Sequence, residues 1–194
     1  NDSPSKNCIR LNAHALARYA ALCQQAKIVP IVEPEVLMDG THDIDRCYDV
    51  TSEVLQEVFI ELKNQNVALN GIVLKPNMVI SGMDAANRAD IPTVASATVK
   101  CLSENVPGEV PGIAFLSGGQ TSEEATAHLS SMNELGPHPW QLTFSYGRAL
   151  QAEPLKVWSG EADNIPAAQE SFIKRSRLNS LARTGNYHPQ MEEA

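Results

Sequence analysis

No apolar run in this chain approaches the ~20 residues that a membrane-spanning helix needs, so no membrane span is expected. Positive charge is also short. Fifteen Lys and Arg stand against 23 Asp and Glu, for a formal charge of -8 and a pI near 5.1, which argues against a nucleic-acid footprint and its basic face. Cys8, Cys23, Cys47 and Cys101 stand singly, with no CxxC and no His at zinc-finger spacing. Neither a disulfide framework nor a zinc knuckle is signalled, and a reducing compartment, the cytoplasm, is the expectation. His14, His42, His128, His138 and His188 form no HExxH or HxH pair, so no metal site is expected. Internal repeats, low-complexity stretches and a signal peptide are missing too, and the first residue is Asn, not Met. That opening leads us to expect a processed product or a piece of a longer chain. What is present is globular composition, 43% apolar and 20% charged over 194 residues. It reads as one domain over 1–194, with a flexible tail over 185–194.

Four short apolar runs end in a polar residue followed by a turn signal, the pattern of buried parallel strands. They are Ile28-Val29-Pro30-Ile31-Val32-Glu33 before Pro34, and Gly71-Ile72-Val73-Leu74-Lys75 before Pro76-Asn77. Gly112-Ile113-Ala114-Phe115-Leu116-Ser117 precedes Gly118-Gly119, and Leu142-Thr143-Phe144-Ser145-Tyr146-Gly147-Arg148 is the fourth. Between them run helical faces: Val50, Val54, Leu55, Val58, Phe59 and Leu62; then Val94, Ala97, Thr98 and Leu102; then Ala125, Leu129 and Met132. Thr121-Ser122-Glu123-Glu124 matches a capping box. Helices over about 12–25 and 166–183 open and close the chain. The order is α-β-α-β-α-β-α-β-α, with βα-unit spacing of 42 residues from Glu33 to Lys75 and 42 from Lys75 to Ser117. Right-handed crossovers bring the C-terminal ends of all four strands to one rim, where α/β proteins bind ligands.

Lys75 is the most informative residue on that rim. At the end of a Val-Leu run and fixed by Pro76 it is partly desolvated, which disfavours an ammonium ion and suits an amine nucleophile for imine chemistry. The plainer alternative is a strand-end lysine snorkelling to water. Glu33 holds the equivalent place one strand earlier and Glu35 follows it, so an acid beside the amine could expel water from a carbinolamine; a simple Glu33–Lys75 ion pair is the competing reading. Ser117-Gly118-Gly119-Gln120 before a capped helix presents backbone amides as phosphate cradles do, though such a turn can be only a turn. Ser145-Tyr146-Gly147-Arg148 on the next strand adds a glycine and a guanidinium for bidentate grip. Trp140, Trp158, Phe144 and Tyr146 are expected to pack in the core or at the rim, and Lys174-Arg175-Ser176-Arg177 to form a solvated face.

Val32-Glu33-Pro34-Glu35, Gly71-Ile72-Val73-Leu74-Lys75-Pro76-Asn77-Met78-Val79, Phe115-Leu116-Ser117-Gly118-Gly119-Gln120 and Phe144-Ser145-Tyr146-Gly147-Arg148-Ala149-Leu150-Gln151 together resemble the signatures of class I fructose-bisphosphate aldolase. The resemblance runs over about 11–187. It implies a (β/α)₈ TIM barrel, of which this α/β chain is the C-terminal half, strands five to eight with their helices; a whole barrel typically needs ~250 residues. It implies reversible cleavage of fructose 1,6-bisphosphate to dihydroxyacetone phosphate and glyceraldehyde 3-phosphate in glycolysis and gluconeogenesis, an aldehyde-lyase reaction using no metal and no other cofactor. Lys75 matches the Schiff-base lysine, Glu33 the acid of carbinolamine dehydration and Glu35 the carboxylate beside it. Ser117, Gly118, Ser145, Gly147 and Arg148 match the pocket for the ketone-side phosphate. A homo-oligomer is expected, because family members are commonly tetramers.

Two departures accompany the match. The family's strands one to four, with an aspartate, lysines and an arginine of the site, have no counterpart here, and the chain ends Met191-Glu192-Glu193-Ala194 where animal and plant members carry a mobile tyrosine. Half a barrel leaves two open strand edges and a bare inner face that must be covered, by the missing half or by a second copy. The alternative function is a non-catalytic scaffold that binds phosphate esters without turnover; a transaldolase-like lyase using the same imine is a third reading.

Overall fold

Each strand is followed by a helix that returns the chain for the next. The computed structural model describes residues 3–193, and within them the order is α1 (Lys6–Gln25), β1 (Ile31–Val32), α2 (Ile44–Asn64), β2 (Val73–Leu74), α3 (Ile91–Asn105), β3 (Gly112–Phe115), α4 (Ser122–Glu134), β4 (Gln141–Phe144), α5 (Arg148–Trp158) and α6 (Ile165–Ala182). All pairings are parallel and the sheet order is β1-β2-β3-β4, with Val32 opposite Leu74, Leu74 opposite Ile113 and Phe115 opposite Phe144. An order that always advances the same way, joined by right-handed crossovers, sends every connecting helix to one face. Burial agrees: Val32 is 0% exposed, whereas Ile31, on the opposite side of the same strand, is 46% exposed. This is the one-sided layering of a barrel wall; a doubly wound sheet carries helices on both faces.

The helix starts are chemically marked. Ser5, Asp43, Asp90 and Thr121 cap α1, α2, α3 and α4 with side-chain oxygens that accept amides of the first turn. At α4 the capping box is complete, because Glu124 also accepts the Thr121 amide at 3.0 Å. Leu55, Val58 and Leu62 of α2, Leu102 of α3 and Leu129 and Met132 of α4 pack with Leu74, Ile113 and Phe115 in one core. Trp140 is buried and donates to the Pro107 carbonyl.

Five expectations need correction. The strands are shorter than their apolar runs, because Pro30, Pro34 and Pro76 lack the N–H that a ladder uses. The fourth run ends at Phe144, and Arg148 opens α5, a helix missing from the expected order; Pro154 inside it removes one intrahelical bond yet is buried against the fold. The segment read as a loose tail is packed. Tyr187 is 4% exposed and exchanges hydrogen bonds with Ser130, a 3₁₀ turn follows at Pro189–Glu192, and Arg175 holds Glu192 bidentately at 2.7 and 2.8 Å. Arg175 is therefore not part of a solvated basic face. Trp158, expected in the core or at the rim, is largely exposed beside Leu155, Ile165, Phe172 and Ile173.

Candidate active site

The ladder ends set the site. The Lys75 amide donates to the Val32 carbonyl at 2.7 Å, so Glu33 and Lys75 leave adjacent strands side by side on the face away from the helices. Lys75 Nζ lies 2.8 Å from Glu33 Oε1, with the lysine side chain 18% exposed and the glutamate 44%. Among the described residues Glu33 is the lysine's ion-pair partner; Glu35, exposed on the loop beyond Pro34, takes no part in that pair. The amine and acid expected to meet are thus in contact.

The loop bearing Glu35 is fixed by Asn77, which the sequence presents only as a turn residue after Pro76. Asn77 is buried, its Oδ1 accepts the Val36 amide at 3.0 Å, and its Nδ2 donates to Thr51 Oγ1 and the Met78 carbonyl, both at 3.1 Å. Further along, the amides of Met83, Asp84 and Gly82 donate to the carbonyls of Met38, Gly40 and His42 at 2.8, 3.0 and 2.9 Å. This bonds the loop after β1 to the loop after β2. Gly82 is required there: a Cβ on it would sit 2.3 Å from the Gly40 oxygen.

Residues 117–120 form a tight turn closed by the Gln120 amide on the Ser117 carbonyl at 2.9 Å. Gly118 and Gly119 have φ of +35° and +71°, the left-handed pair of a type I′ turn. Met38 and Met83 press on it from above, where Cβ atoms on these glycines would come within 2.7 Å of their side chains. The turn's own bond leaves the Gly118 and Gly119 amides outside it, directly before the capped N-terminus of α4. On the neighbouring strand, the Ser145 amide donates to Phe115 at 2.9 Å, Gly147 is the N-cap of α5 with open space where a Cβ would be, and Arg148 is exposed at the first helical position. Ser117 and Gly118 on one strand end, and Ser145, Gly147 and Arg148 on the next, therefore share one rim with Lys75. Two glycine-linked helix starts and a guanidinium suit an anion.

Beneath this rim, buried Tyr146 donates its hydroxyl to the Ala125 carbonyl at 2.8 Å, and burial pushes its pKa up. A cavity of about 1060 Å³ opens between α1, α2 and the loop after β1, with Glu33 and Glu35 on its wall but neither Lys75 nor Ser117. No three His, Cys, Asp or Glu side chains cluster as a metal site would among the described residues.

The family model for class-I fructose-bisphosphate aldolase matches residues 1–194. The chain belongs to the class-I fructose-bisphosphate aldolases. It is 53% identical over 187 residues to a protein of Xanthomonas campestris named a probable class 1 fructose-bisphosphate aldolase, covering 96% of this chain and 56% of that protein. With the aldolase B of Gallus gallus it shares 53% identity over 186 residues, covering 95% of this chain and 51% of the relative. Aldolase from Plasmodium falciparum, solved in complex with TRAP and a small-molecule inhibitor, superposes with a TM-score of 0.94 at 49% identity, over 95% of this chain and 53% of that one. The aldolase chain described here thus spans about half the length of the curated relatives it matches. A relative from Arabidopsis thaliana, 48% identical, is named cytosolic, and no helix here is long and apolar enough to cross a membrane among the described residues.

Proposed function

We propose that this chain supplies the Schiff-base half of a class-I fructose-bisphosphate aldolase: strands five to eight of a (β/α)₈ barrel, cleaving fructose 1,6-bisphosphate reversibly to dihydroxyacetone phosphate and glyceraldehyde 3-phosphate. The observation that carries the reading is the 2.8 Å contact between Lys75 Nζ and Glu33 Oε1. Moving the shared proton from ammonium to carboxylate leaves a free amine beside a carboxylic acid. The amine adds to the ketone carbon, and the resulting carbinolamine hydroxyl takes the proton from Glu33 and leaves as water. The iminium then accepts the electron pair of the breaking C–C bond as an enamine, while the C4 hydroxyl gives its proton to the carboxylate of the aspartate that the family resemblance places on strands outside this chain, and the aldehyde departs. Glu35, beside Glu33 on a loop fixed through Asn77, adds negative charge that favours the cationic iminium. Ser117, Gly118, Ser145, Gly147 and Arg148 hold the ketone-side phosphate through amides, hydroxyls and one guanidinium.

The exposed Ile28, Val29 and Ile31 beside the β1 edge, and the exposed apolar side chains of α5 and α6 beyond β4, support an arc whose two ends continue into a barrel. Cytoplasmic location and homo-oligomerisation belong to the same reading. The test is borohydride reduction of the folded chain with dihydroxyacetone phosphate, followed by peptide mass mapping, with Lys75→Ala as control. The expected result is one reduced adduct on the peptide carrying Lys75. A folded, soluble chain that gains no adduct there would overturn the proposal and favour a phosphate-ester-binding scaffold.

A further inference from the structure

Inside α4, on its core-facing side between Ala127 and Leu129, sits a histidine that no step above uses. His128 is 4% exposed, and its Nδ1 lies 2.6 Å from Gln120 Oε1. Gln120 is itself buried, and its Nε2 donates to the Ser117 carbonyl at 3.0 Å, the same oxygen that accepts the Gln120 amide. Only one arrangement satisfies all three atoms. A flipped Gln120 amide would set its oxygen against the Ser117 carbonyl, acceptor to acceptor, so Oε1 faces the histidine and can only accept. The Nδ1 of His128 must therefore carry the hydrogen. A buried polar pair costs desolvation, which the two hydrogen bonds it makes offset while fixing one geometry.

The atom these bonds act on is the carbonyl of Ser117, the first residue of the Gly118–Gly119 turn. With both glycines in the left-handed region, the turn has wide conformational freedom on its own. It is held from above by Met38 and Met83 and from below by the side chain of Gln120. We propose that the Gln120–His128 pair is a positioning device for the phosphate site: His128 orients Gln120, and Gln120 sets the turn whose amides receive the phosphate. This inference rests on the reading of that turn as the ketone-side phosphate pocket. Neither residue touches substrate, so each acts through the backbone of residues 117–119.

The experiment titrates the chain with dihydroxyacetone phosphate by calorimetry and compares wild type, His128→Leu and His128→Asn, with the ¹⁵N signals of the wild-type imidazole recorded alongside. The expected outcome is an Nδ1-protonated neutral tautomer, and affinity about tenfold weaker in His128→Leu, as for misaligning one hydrogen bond to a charged group. His128→Asn, which keeps an N–H donor of similar reach, restores the affinity; a merely structural role would leave folded His128→Leu with wild-type affinity. Equal affinity in folded His128→Leu, or an Nε2-protonated tautomer, overturns the proposal while leaving the phosphate pocket standing. Wild type that binds no dihydroxyacetone phosphate overturns the pocket reading and this inference with it. Should His128→Leu not fold, Gln120→Met, similar in shape and without hydrogen-bonding groups, takes its place with the same two readings.

Discussion

Acid should unfold this protein partly through one buried imidazole. Burial holds the pKa of His128 down to about 4 from an ordinary 6.5; nearby Arg88 pushes the same way, and Glu124 opposes both. The unfolded chain therefore takes up this proton first. Stability is complete above pH 6.5 and is lost as pH falls from 6.5 toward 4, below which this group contributes no further change. Between pH 7 and pH 5 the linkage comes to about 2 kcal/mol. Urea unfolding at pH 7, 6 and 5 measures it, with His128→Asn as reference, since carboxylates common to both proteins cancel in the difference. The expected result is that wild type loses about 2 kcal/mol more than the variant across that interval. Parallel pH profiles would refute the reasoning, because they would mean that the imidazole is as easily protonated in the folded core as in water.

Three other substitutions follow from contacts on the rim and behind it. Thr121→Ala removes half of the capping box at α4 and is expected to cost about 1 kcal/mol in urea unfolding; an unchanged midpoint would show that the cap contributes nothing. Gly82→Ala places a Cβ 2.3 Å from the Gly40 oxygen and forces the loops after β1 and β2 apart. The expected loss is about 1–3 kcal/mol together with weaker dihydroxyacetone phosphate binding, because Met38 then no longer presses on Gly118; wild-type stability and affinity would contradict the geometry. Arg175→Met leaves Glu192 without its bidentate partner in a largely buried setting, for an expected loss of about 3 kcal/mol. In hydrogen exchange the Tyr187 amide should lose protection first, and retained protection there would show that the C-terminal segment is held by something else.

The parts of this fold that are legible in the sequence are those written in local pattern. The face Val50, Val54, Leu55, Val58 and Leu62, the capping box at Thr121 and the polar residues closing the first three apolar runs recur in the structure where spacing puts them. Glu33 and Lys75 are legible as a pair because parallel register carries the ends of neighbouring strands to the same height. What local pattern misses is what depends on distant partners. Pro154 hides α5, since a helix containing an interior proline is supported by packing and not by propensity. Nothing near Gly82 announces that Gly40 will lie against it, 42 residues away. His128 and Gln120 stand eight residues apart across a helix start, and only the fold turns them toward each other. The segment from Gly185 reads as loose from its polar residues, yet Ser130, Arg175 and Lys174 supply bonds that no reading of that segment alone contains.

Covering the sheet and building the site are one problem in this chain. Ile31 and Glu33 alternate onto the same side of β1, and Lys75 follows on the same side of β2, so the face without helices is the face with the Lys75–Glu33 contact. A Lys–Glu pair open to water gains little from its Coulomb attraction. Excluding water from that face strengthens the Lys75–Glu33 interaction and raises the cost of keeping both groups charged. The apolar side chains left exposed beside β1 supply the drive for such a cover. The surface whose apolar side chains stay exposed beside β1 is thus the surface that carries the Lys75–Glu33 contact, and the rim loops, bonded to one another from Met38 to Gly82, press onto the glycine turn beside it.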